Sequence, residues 1–434
     1  MGLKILHLSD IHFRHRVNGH WAVEQDLQNE LIMDLDRLIS GLNGIDIVLI
    51  GGDVAFSGSQ DEYDLADKWI AQVCKSIHCK IENVLTIPGN HDVERAKVIT
   101  AVHALQRQLK IAGDQTERNK LIAGYYSKQE SANLLLSPFS NYLEFAQKYN
   151  SVPPGGQNNL FWERDFKHGN HLFKIRGVNS AIVSNKDDEI RNSLMVLGTF
   201  QSLIPSKRGV INLALCHHPP EWMYDCEDVK KDFRSRARIQ LFGHVHSFDV
   251  VQLNNSLILS AGAMQPPEGE PGWEPRYNVL ELDLIGDDNS RKLNVKLFRR
   301  KWNTATRHFE PEYDDHGKSW SEYNLELSAD ERHLYDFGAA EIEKNINNPA
   351  MAESVTDLSK PDPLKVLARL FWTMPYVTKT SVAVKLGLVE EVDKDLTEIQ
   401  RVQAYFRRAV EKGLQSKLWD LVMKETGQQI QNPF

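Results

Sequence analysis

Five short blocks of metal-binding residue types punctuate this sequence: Asp10-Ile11-His12, Gly52-Asp53, Gly89-Asn90-His91-Asp92, His217-His218-Pro219 and Gly243-His244-Val245-His246. Any one of them is weak evidence, since a lone histidine is more often a satisfied core or surface residue than a ligand. As a set they supply carboxylates, a carboxamide and imidazoles, with no thiolate. Mixed oxygen and nitrogen ligation of that kind suits two divalent ions of Mn, Fe or Zn better than Ca or a structural thiolate zinc. A carboxylate bridging two ions would hold them roughly 3.5–4 Å apart, the spacing used in two-metal phosphoryl transfer. Neighbours on an extended segment point opposite ways, so only one of His217 and His218 should ligate, and Cys216 should face away.

What makes the set informative is where the blocks fall. Leu3 to Leu8 and Ile45 to Ile50 are short apolar runs of strand type, and Val84 to Ile87 is a third. Leu27, Leu31, Leu35 and Leu38 recur at helical spacing between the first two, and Tyr63 to Ile77 reads as helix between the second and third. The order β-α-β-α-β predicts a sheet covered by helices. Each block follows such a strand, and in open α/β sheets ligands collect at the carboxyl ends of strands. Folding therefore gathers several carboxylates and imidazoles at one edge. Uncompensated, that convergence costs several kcal/mol, comparable to a domain's net stability, and bound cations would remove the cost.

Residues 95 to 150 lose the alternation and read as a helical insertion projecting from the sheet. Strand patterns resume at Leu172 to Val178, Val210 to Cys216, Ile239 to Phe242, Phe248 to Leu253 and Leu257 to Ala261. Tyr277 to Leu284 and Leu293 to Arg300 alternate apolar and polar residues, as antiparallel strands with one solvated side do. Asn347 to Pro363 carries Asn-Asn-Pro and Pro-Asp-Pro, linker chemistry that separates a further segment. Domains are therefore expected at 1–320 for the α/β part, 321–363 for a connecting helix and linker, and 364–434 for a small all-α module. In that module Leu364, Leu367 and Phe371, then Ile399, Val402, Phe406 and Val410, then Leu414, Leu418 and Leu421 keep helical spacing.

Composition excludes several classes. The 434 residues are 41% hydrophobic and 25% charged, ordinary for a folded chain. No apolar run is long enough to span a bilayer and no leader pattern opens the sequence, so a cytoplasmic protein without membrane contact is expected. With 51 Lys and Arg against 59 Asp and Glu, the net charge of −8 argues against a grip on long duplex nucleic acid. From Leu364 onward the balance reverses, with 11 Lys and Arg against 8 Asp and Glu. Arg14, His15 and His20 follow the first block where a phosphate could be held, although solvated loop residues would read the same. Arg234, Arg236 and Arg238 could line a basic cleft or merely a solvated edge.

All five blocks, in order, resemble the calcineurin-like metallophosphoesterase superfamily over roughly residues 1 to 300. The resemblance implies a two-sheet α/β/β/α sandwich. It implies that Asp10, His12 and His246 bind one metal, that Asn90, His217 and His244 bind the other, and that Asp53 bridges both. His91 would be the non-ligand histidine beside the scissile phosphate, with Asp92 as its orienting partner or simply a loop carboxylate. The reaction implied is in-line attack on phosphorus by a metal-activated hydroxide, with His91 helping the leaving oxygen.

Within the superfamily, protein Ser/Thr phosphatases show Asp-Arg-Gly after the bridging aspartate and Glu after the Asn-His pair. Here Asp53 is followed by Val54-Ala55, and Asp92 stands in place of that glutamate. The segment is more similar to the phosphodiesterase branch, as are His217-His218-Pro219-Pro220, Asn179-Ser180 and Leu197-Gly198 with Gln201. A phosphodiester or nucleotide-like substrate follows. The alternatives are a nuclease acting on DNA or RNA, or a non-enzymatic nucleotide sensor in a bacterial defence or signalling system. Residues Leu367 to Leu388 and Arg401 to Leu418 are similar to effector-associated adaptor domains of bacterial conflict systems. That implies a protein partner for 364–434; a bundle that only stabilises the fold is the competing reading.

Overall fold

Ile5 and Leu6 are neighbours on one strand, yet their side chains enter different cores. Ile5 joins Leu3, Ile47, Leu49, Leu213, Leu215 and Leu257, whereas Leu6 joins Leu8, Leu31, Leu35, Trp69 and Ile70. Strand alternation sends successive side chains to opposite faces, so an unbroken apolar run is what a sheet buried on both sides requires. The computed structural model describes residues 2–14, 21–151, 160–189, 194–267, 272–288, 290–335, 367, 371, 374, 376–395, 398–426 and 432–434. It divides into two compact units, Met1–Asp336 and Phe337–Phe434.

The first unit contains two mixed sheets. One is built from β1 (Leu3–Leu8), β2 (Ile47–Ile50), β3 (Val84–Thr86), β10 (Arg276–Ile285), β11 (Lys292–Asn303) and β12 (His308–Pro311), in the order β12-β11-β10-β1-β2-β3. The other uses β4 (Phe161–His168), β5 (His171–Val178), β6 (Val210–Cys216), β7 (Ala237–Phe242), β8 (Phe248–Leu253) and β9 (Ser256–Ala261), in the order β4-β5-β6-β7-β9-β8. β1, β2 and β3 run parallel, as do β5, β6, β7 and β9. Between the sheets lies a dry layer to which Ile5, Leu49, Leu85, Ile175, Leu215, Leu241, Leu259, Leu282 and Val295 all contribute. Helices α1 (Trp21–Leu42) and α2 (Gln60–Ser76) cover the outer face of the first sheet, and α8 (Cys226–Arg236) covers the second. This is the α/β/β/α sandwich.

Two expectations need correction. The helices of the insertion, α3 (Thr100–Ile111), α4 (Gln115–Tyr126), α5 (Gln129–Leu136) and α6 (Ser140–Lys148), do not project. Phe139, Tyr142 and Phe145 are buried with Tyr63 and Trp69, and Leu109, Ile122 and Leu135 are buried with Val178 and Cys216. Their apolar faces are amphipathic stripes that need a partner, and the two sheet flanks supply it. The α/β part also runs past residue 320. Ser321–Glu326 forms β13, antiparallel to β11, and among the described residues of the first unit the short turn of helix Ala329–Arg332 follows it. The alternation Tyr323, Leu325 and Leu327 packs on the inter-sheet layer. The linker at Asn347 to Pro363 lies outside the described residues.

The second unit has its own core. Helices Tyr376–Lys385, Glu398–Glu411 and Gln415–Thr426 enclose Leu367, Phe371, Val382, Leu388, Val402, Tyr405, Leu418 and Trp419. The first helix ends at Gly387, whose φ of 64° suits glycine, with the Leu388 amide donating back to Ala383 O at 2.9 Å.

Candidate metal centre

Every block emerges from the carboxyl end of a strand: Asp10 after β1, Asp53 after β2, Asn90 after β3, His217 after β6 and His244 after β7. Their loops are stitched to one another before any ion is considered. The amides of Asp10, His12 and Phe13 donate to the carbonyls of Gly52, Asp53 and Val54 at 3.1, 3.0 and 2.8 Å. The Gly51 amide donates to Leu8 O, the Gly243 amide to His217 O, and the Gln265 amide to Asp10 O. Two glycines are required by close approach. A Cβ on Gly52, whose φ is 97°, would meet His217 Nδ1 at 2.6 Å; one on Gly89 would meet Asp53 Oδ1 at 2.1 Å.

Within this frame the side chains converge. Asp53 Oδ2 lies 3.9 Å from His12 Nε2 and 3.4 Å from His217 Nε2, and Asp53 Oδ1 accepts the His91 amide at 2.8 Å. Asp10 Oδ2 accepts from Ser9 Oγ at 2.6 Å and from the His244 amide at 3.2 Å. Its Oδ1 has no hydrogen-bond partner and faces His246 Nε2 at 3.7 Å. Asn90 Oδ1 sits 3.2 Å from His217 Nε2 and 3.1 Å from His244 Nδ1. Donor atoms of Asp10, His12 and His246 lie within 4.8 Å of one another, and so do those of Asp10, Asp53 and His217, of His12, Asp53 and His91, and of His217, His218 and His244.

The electrostatics fit cations. Burial pushes His12 and His244 down to about 3, so both imidazoles are neutral, the ligand form. Burial also acts to lower His217, but the Asp53 carboxylate outweighs it and raises His217 to about 9; His217 in turn holds Asp53 well below the usual carboxylate range. Asp10 is raised by burial. Both ring nitrogens of His12 are buried without a hydrogen-bond partner, as is Asp10 Oδ1. Orphaned buried polar atoms of this kind are expensive, and a cation is the simplest partner that satisfies a carboxylate oxygen and an imidazole lone pair together.

His91 and Asp92 behave differently from each other. The His91 ring packs edge-on against His12, with centroids 4.7 Å apart, and its Nδ1 donates to Phe56 O at 2.8 Å. Asp92 does not orient it. The Asp92 carboxylate accepts from the amides of Gly89 (2.9 Å), Ala55 (3.0 Å) and Val54 (3.3 Å) and from Tyr63 Oη (2.9 Å). Burial, and then the nearby Asp53 charge, push it up to about 6. The reading of Asp92 as partner of the imidazole is therefore replaced by a carboxylate that fastens two loops, with Phe56 O in the orienting role.

His218 also departs from expectation. Strand alternation ends at Cys216, so both His217 and His218 turn inward, their rings 4.7 Å apart. His218 Nδ1 pairs with Ser180 Oγ at 2.8 Å, while its Nε2 is buried and unpartnered. Cys216 does face away, packed among Val178, Ala214 and Phe242, with burial raising its thiol to about 12. Arg238 pairs with Glu331 at 2.7 Å instead of lining a cleft. Arg14 lies over the Phe56 ring at 4.1 Å; His15 and His20 lie outside the described residues.

Residues 3–248 match the family model of the calcineurin-like phosphoesterases, more than half of the chain. The chain belongs to the calcineurin-like phosphoesterase family. Residues 364–424 match the model of the GTPase-associated adaptor domain. The metallophosphoesterase-like protein YydB of Bacillus subtilis (strain 168) is 22% identical over 325 residues, 71% of this chain and 61% of that protein. The chain thus spans less than two thirds of that relative's length. Among solved structures, a Vps29 single mutant from Entamoeba histolytica is 14% identical with a TM-score of 0.30, covering 75% of this chain and all of that one. Purple acid phosphatase PPD1 from yellow lupin (Lupinus luteus) is 14% identical with a TM-score of 0.38, covering 83% of this chain and 57% of that one.

Membership in the calcineurin-like phosphoesterase family makes hydrolase chemistry and divalent metal binding the frame for the cluster. Sequence reasoning missed Ser9, Phe56 and Tyr63, which act through an oxygen on Asp10, His91 and Asp92. Ser180 was legible as part of Asn179-Ser180, but its contact with His218, 38 residues away, was not. Among the described residues, no helix is long and apolar enough to cross a membrane.

Proposed function

We propose that the protein is a dinuclear metal-dependent phosphodiesterase. The observation that carries this reading is the position of Asp53: one carboxylate shared between His12 on one side and His217 on the other. On that assignment Asp10, His12 and His246 would hold one ion, Asn90, His217 and His244 the other, and Asp53 both. The ions would supply Lewis acidity toward the phosphoryl oxygens and a water of lowered pKa. The chain's own residues do the rest. Gly51 O accepts from His217 Nδ1 at 2.8 Å, which directs Nε2 toward Asp53 and Asn90, where an ion would take the place of the Nε2 proton. Phe56 O fixes the His91 proton on Nδ1, so Nε2 accepts a proton when the ring is neutral and donates one when it is charged. A protonated His91 can then stabilise the oxygen that leaves with the electron pair.

The absence of the phosphatase-type Asp-Arg-Gly and Glu favours a diester over a phosphoprotein substrate. The match to an adaptor domain, together with the separate core of the second unit, supports recruitment of a protein partner through residues 364–434. The decisive assay uses full-length chain loaded with Mn, Fe or Zn, metal content by mass spectrometry, and bis-p-nitrophenyl phosphate beside p-nitrophenyl phosphate. Two ions per chain and preferential turnover of the diester are expected. Two bound ions with no turnover of either ester would instead favour the sensor reading.

A further inference from the structure

Phe56 and Trp222 are both large aromatics left 39% and 41% exposed, and both touch histidines of the centre. Phe56 lies 5.2 Å from the His91 ring and 6.1 Å from His12, centroid to centroid. Trp222 lies 4.5 Å from His244, at an interplanar angle of 84°. The two therefore flank opposite donor groups. They differ in what already occupies them. The Arg14 guanidinium stands over the Phe56 ring at 4.1 Å and His91 is tilted against it, so Phe56 is engaged within the fold. Trp222 meets His244 edge to face, and among the described residues no further ring and no cation packs on the indole.

Its backbone is held firmly. The Trp222 amide donates to Pro219 O at 2.9 Å, and the Met195 amide donates to Trp222 O at 2.7 Å. The first bond ties Trp222 to the turn that follows His217 and His218, and the second ties it to the segment that carries Met195. An isolated exposed apolar residue needs no explanation, but a backbone-clamped indole against a metal-centre histidine offers a preset π surface.

We propose that Trp222 is a base-stacking platform, so that the phosphodiester accepted by this centre carries a nucleoside on the side of His217 and His244. This rests on the phosphodiesterase reading above. Every nucleobase presents a π face, so stacking on Trp222 selects nucleosides as a class without selecting a sequence. The phosphate is held by the centre and the base by the indole. A small nucleotide and the end of a single strand present the same chemistry to it.

The test is equilibrium binding, by calorimetry, of thymidine 5′-phosphate, glucose 1-phosphate and methyl phosphate to the full chain loaded with Mn. The nucleotide should bind about 5- to 150-fold more tightly than methyl phosphate, the range that one stacked base provides. Trp222→Ala should erase that advantage, and Trp222→Phe, which keeps a π face, should retain most of it. A dT10 strand binding more tightly than the mononucleotide would assign the base to a strand, and equal affinity would assign it to a small nucleotide. The proposal is overturned if the wild type binds all three phosphates equally, if glucose 1-phosphate matches the nucleotide, or if the advantage survives Trp222→Ala. Turnover of bis-p-nitrophenyl phosphate is scored separately. A stacking advantage without turnover retires the hydrolysis reading alone, and turnover without the advantage retires the stacking alone.

Discussion

Replacing Asp92 by Asn separates a carboxylate that builds the site from one that takes part in the reaction. Oδ1 accepts from the Ala55 amide and Tyr63 Oη, and Oδ2 accepts from the Gly89 and Val54 amides. Asparagine keeps one oxygen and turns an NH₂ toward the other two donors, leaving them buried and unsatisfied. At about 1–3 kcal/mol for each, the loss is about 2–6 kcal/mol. Asparagine also removes the cost of burying a charge, which is what raises Asp92 to about 6, so the net destabilisation should fall lower, near 1–3 kcal/mol. A unit of Met1–Asp336 unfolds with an entropy of about 0.7 kcal/mol per degree by size scaling, so its melting temperature should drop by about 1–4 °C. The two loops fastened by Asp92 carry Asp53 and Asn90, and metal affinity should weaken 10- to 100-fold, as when a ligand loses its support. Melting curves on metal-free protein and a Mn titration measure both effects. Tyr63→Phe removes one donor only and should give a smaller drop of the same sign. Unchanged melting and unchanged Mn affinity, with turnover lost, would refute the reasoning and return Asp92 to the catalytic step.

Three further outcomes are expected. Asp53→Asn should lower occupancy at both metal positions, because a neutral amide bridges two cations poorly; two ions per chain by mass spectrometry in that variant would contradict the shared role. His91→Ala should retain both ions and lose 10²- to 10⁴-fold in kcat on a diester with a poor leaving group, and near-normal turnover would remove His91 from the mechanism. A chain ending at residue 350 should melt close to the first transition of the full chain and keep its metal content and diesterase rate, since residues 1–336 form a compact unit with apolar clusters of their own. Aggregation or a large fall in melting temperature would show that residues 364–434 stabilise the fold instead of recruiting a partner.

The layers of the first unit were legible because buried parallel strands leave a plain mark. Leu3 to Leu8 and Ile45 to Ile50 read as strands because near-continuous apolar runs mark burial on both faces, and the strands Leu3–Leu8 and Ile47–Ile50 are buried throughout. The blocks were legible as a centre because the carboxyl ends of strands collect such residues, although three blocks come from one sheet and two from the other, where a single sheet edge was expected. What could not be read depends on contacts between distant positions. Tyr63 reaches Asp92 across 29 residues and Phe56 reaches His91 across 35, and neither pairing has a local signal. His218 turned inward because alternation holds only inside the strand and lapses one residue past its end. The insertion helices showed their stripes, but the stripes do not say which surface covers them.

The loop conformations were equally silent, and they say the most about how the centre is made. Asp10, His12, Asp53 and His244 all have φ between 52° and 63°, in the left-handed region that non-glycine residues seldom enter. Each such residue costs on the order of 1–3 kcal/mol unless its surroundings over-determine it. Here they do. The ladder between residues 10–13 and 52–54, the bridge between Phe13 and Ala55, and the four bonds to Asp92 fix the first three loops from several directions at once. The bend at Asp10 and His12 lets two residues of one short loop direct donor atoms toward Asp53 and His246, which a regular strand continuation would send to opposite faces. Strain at the donors is therefore the means of convergence, and the hydrogen bonds behind them hold it in place. Ser9, Tyr63 and Phe56 brace Asp10, Asp92 and His91 from behind, so the array of buried charges is supported by groups outside the donor set, as a well-positioned site requires.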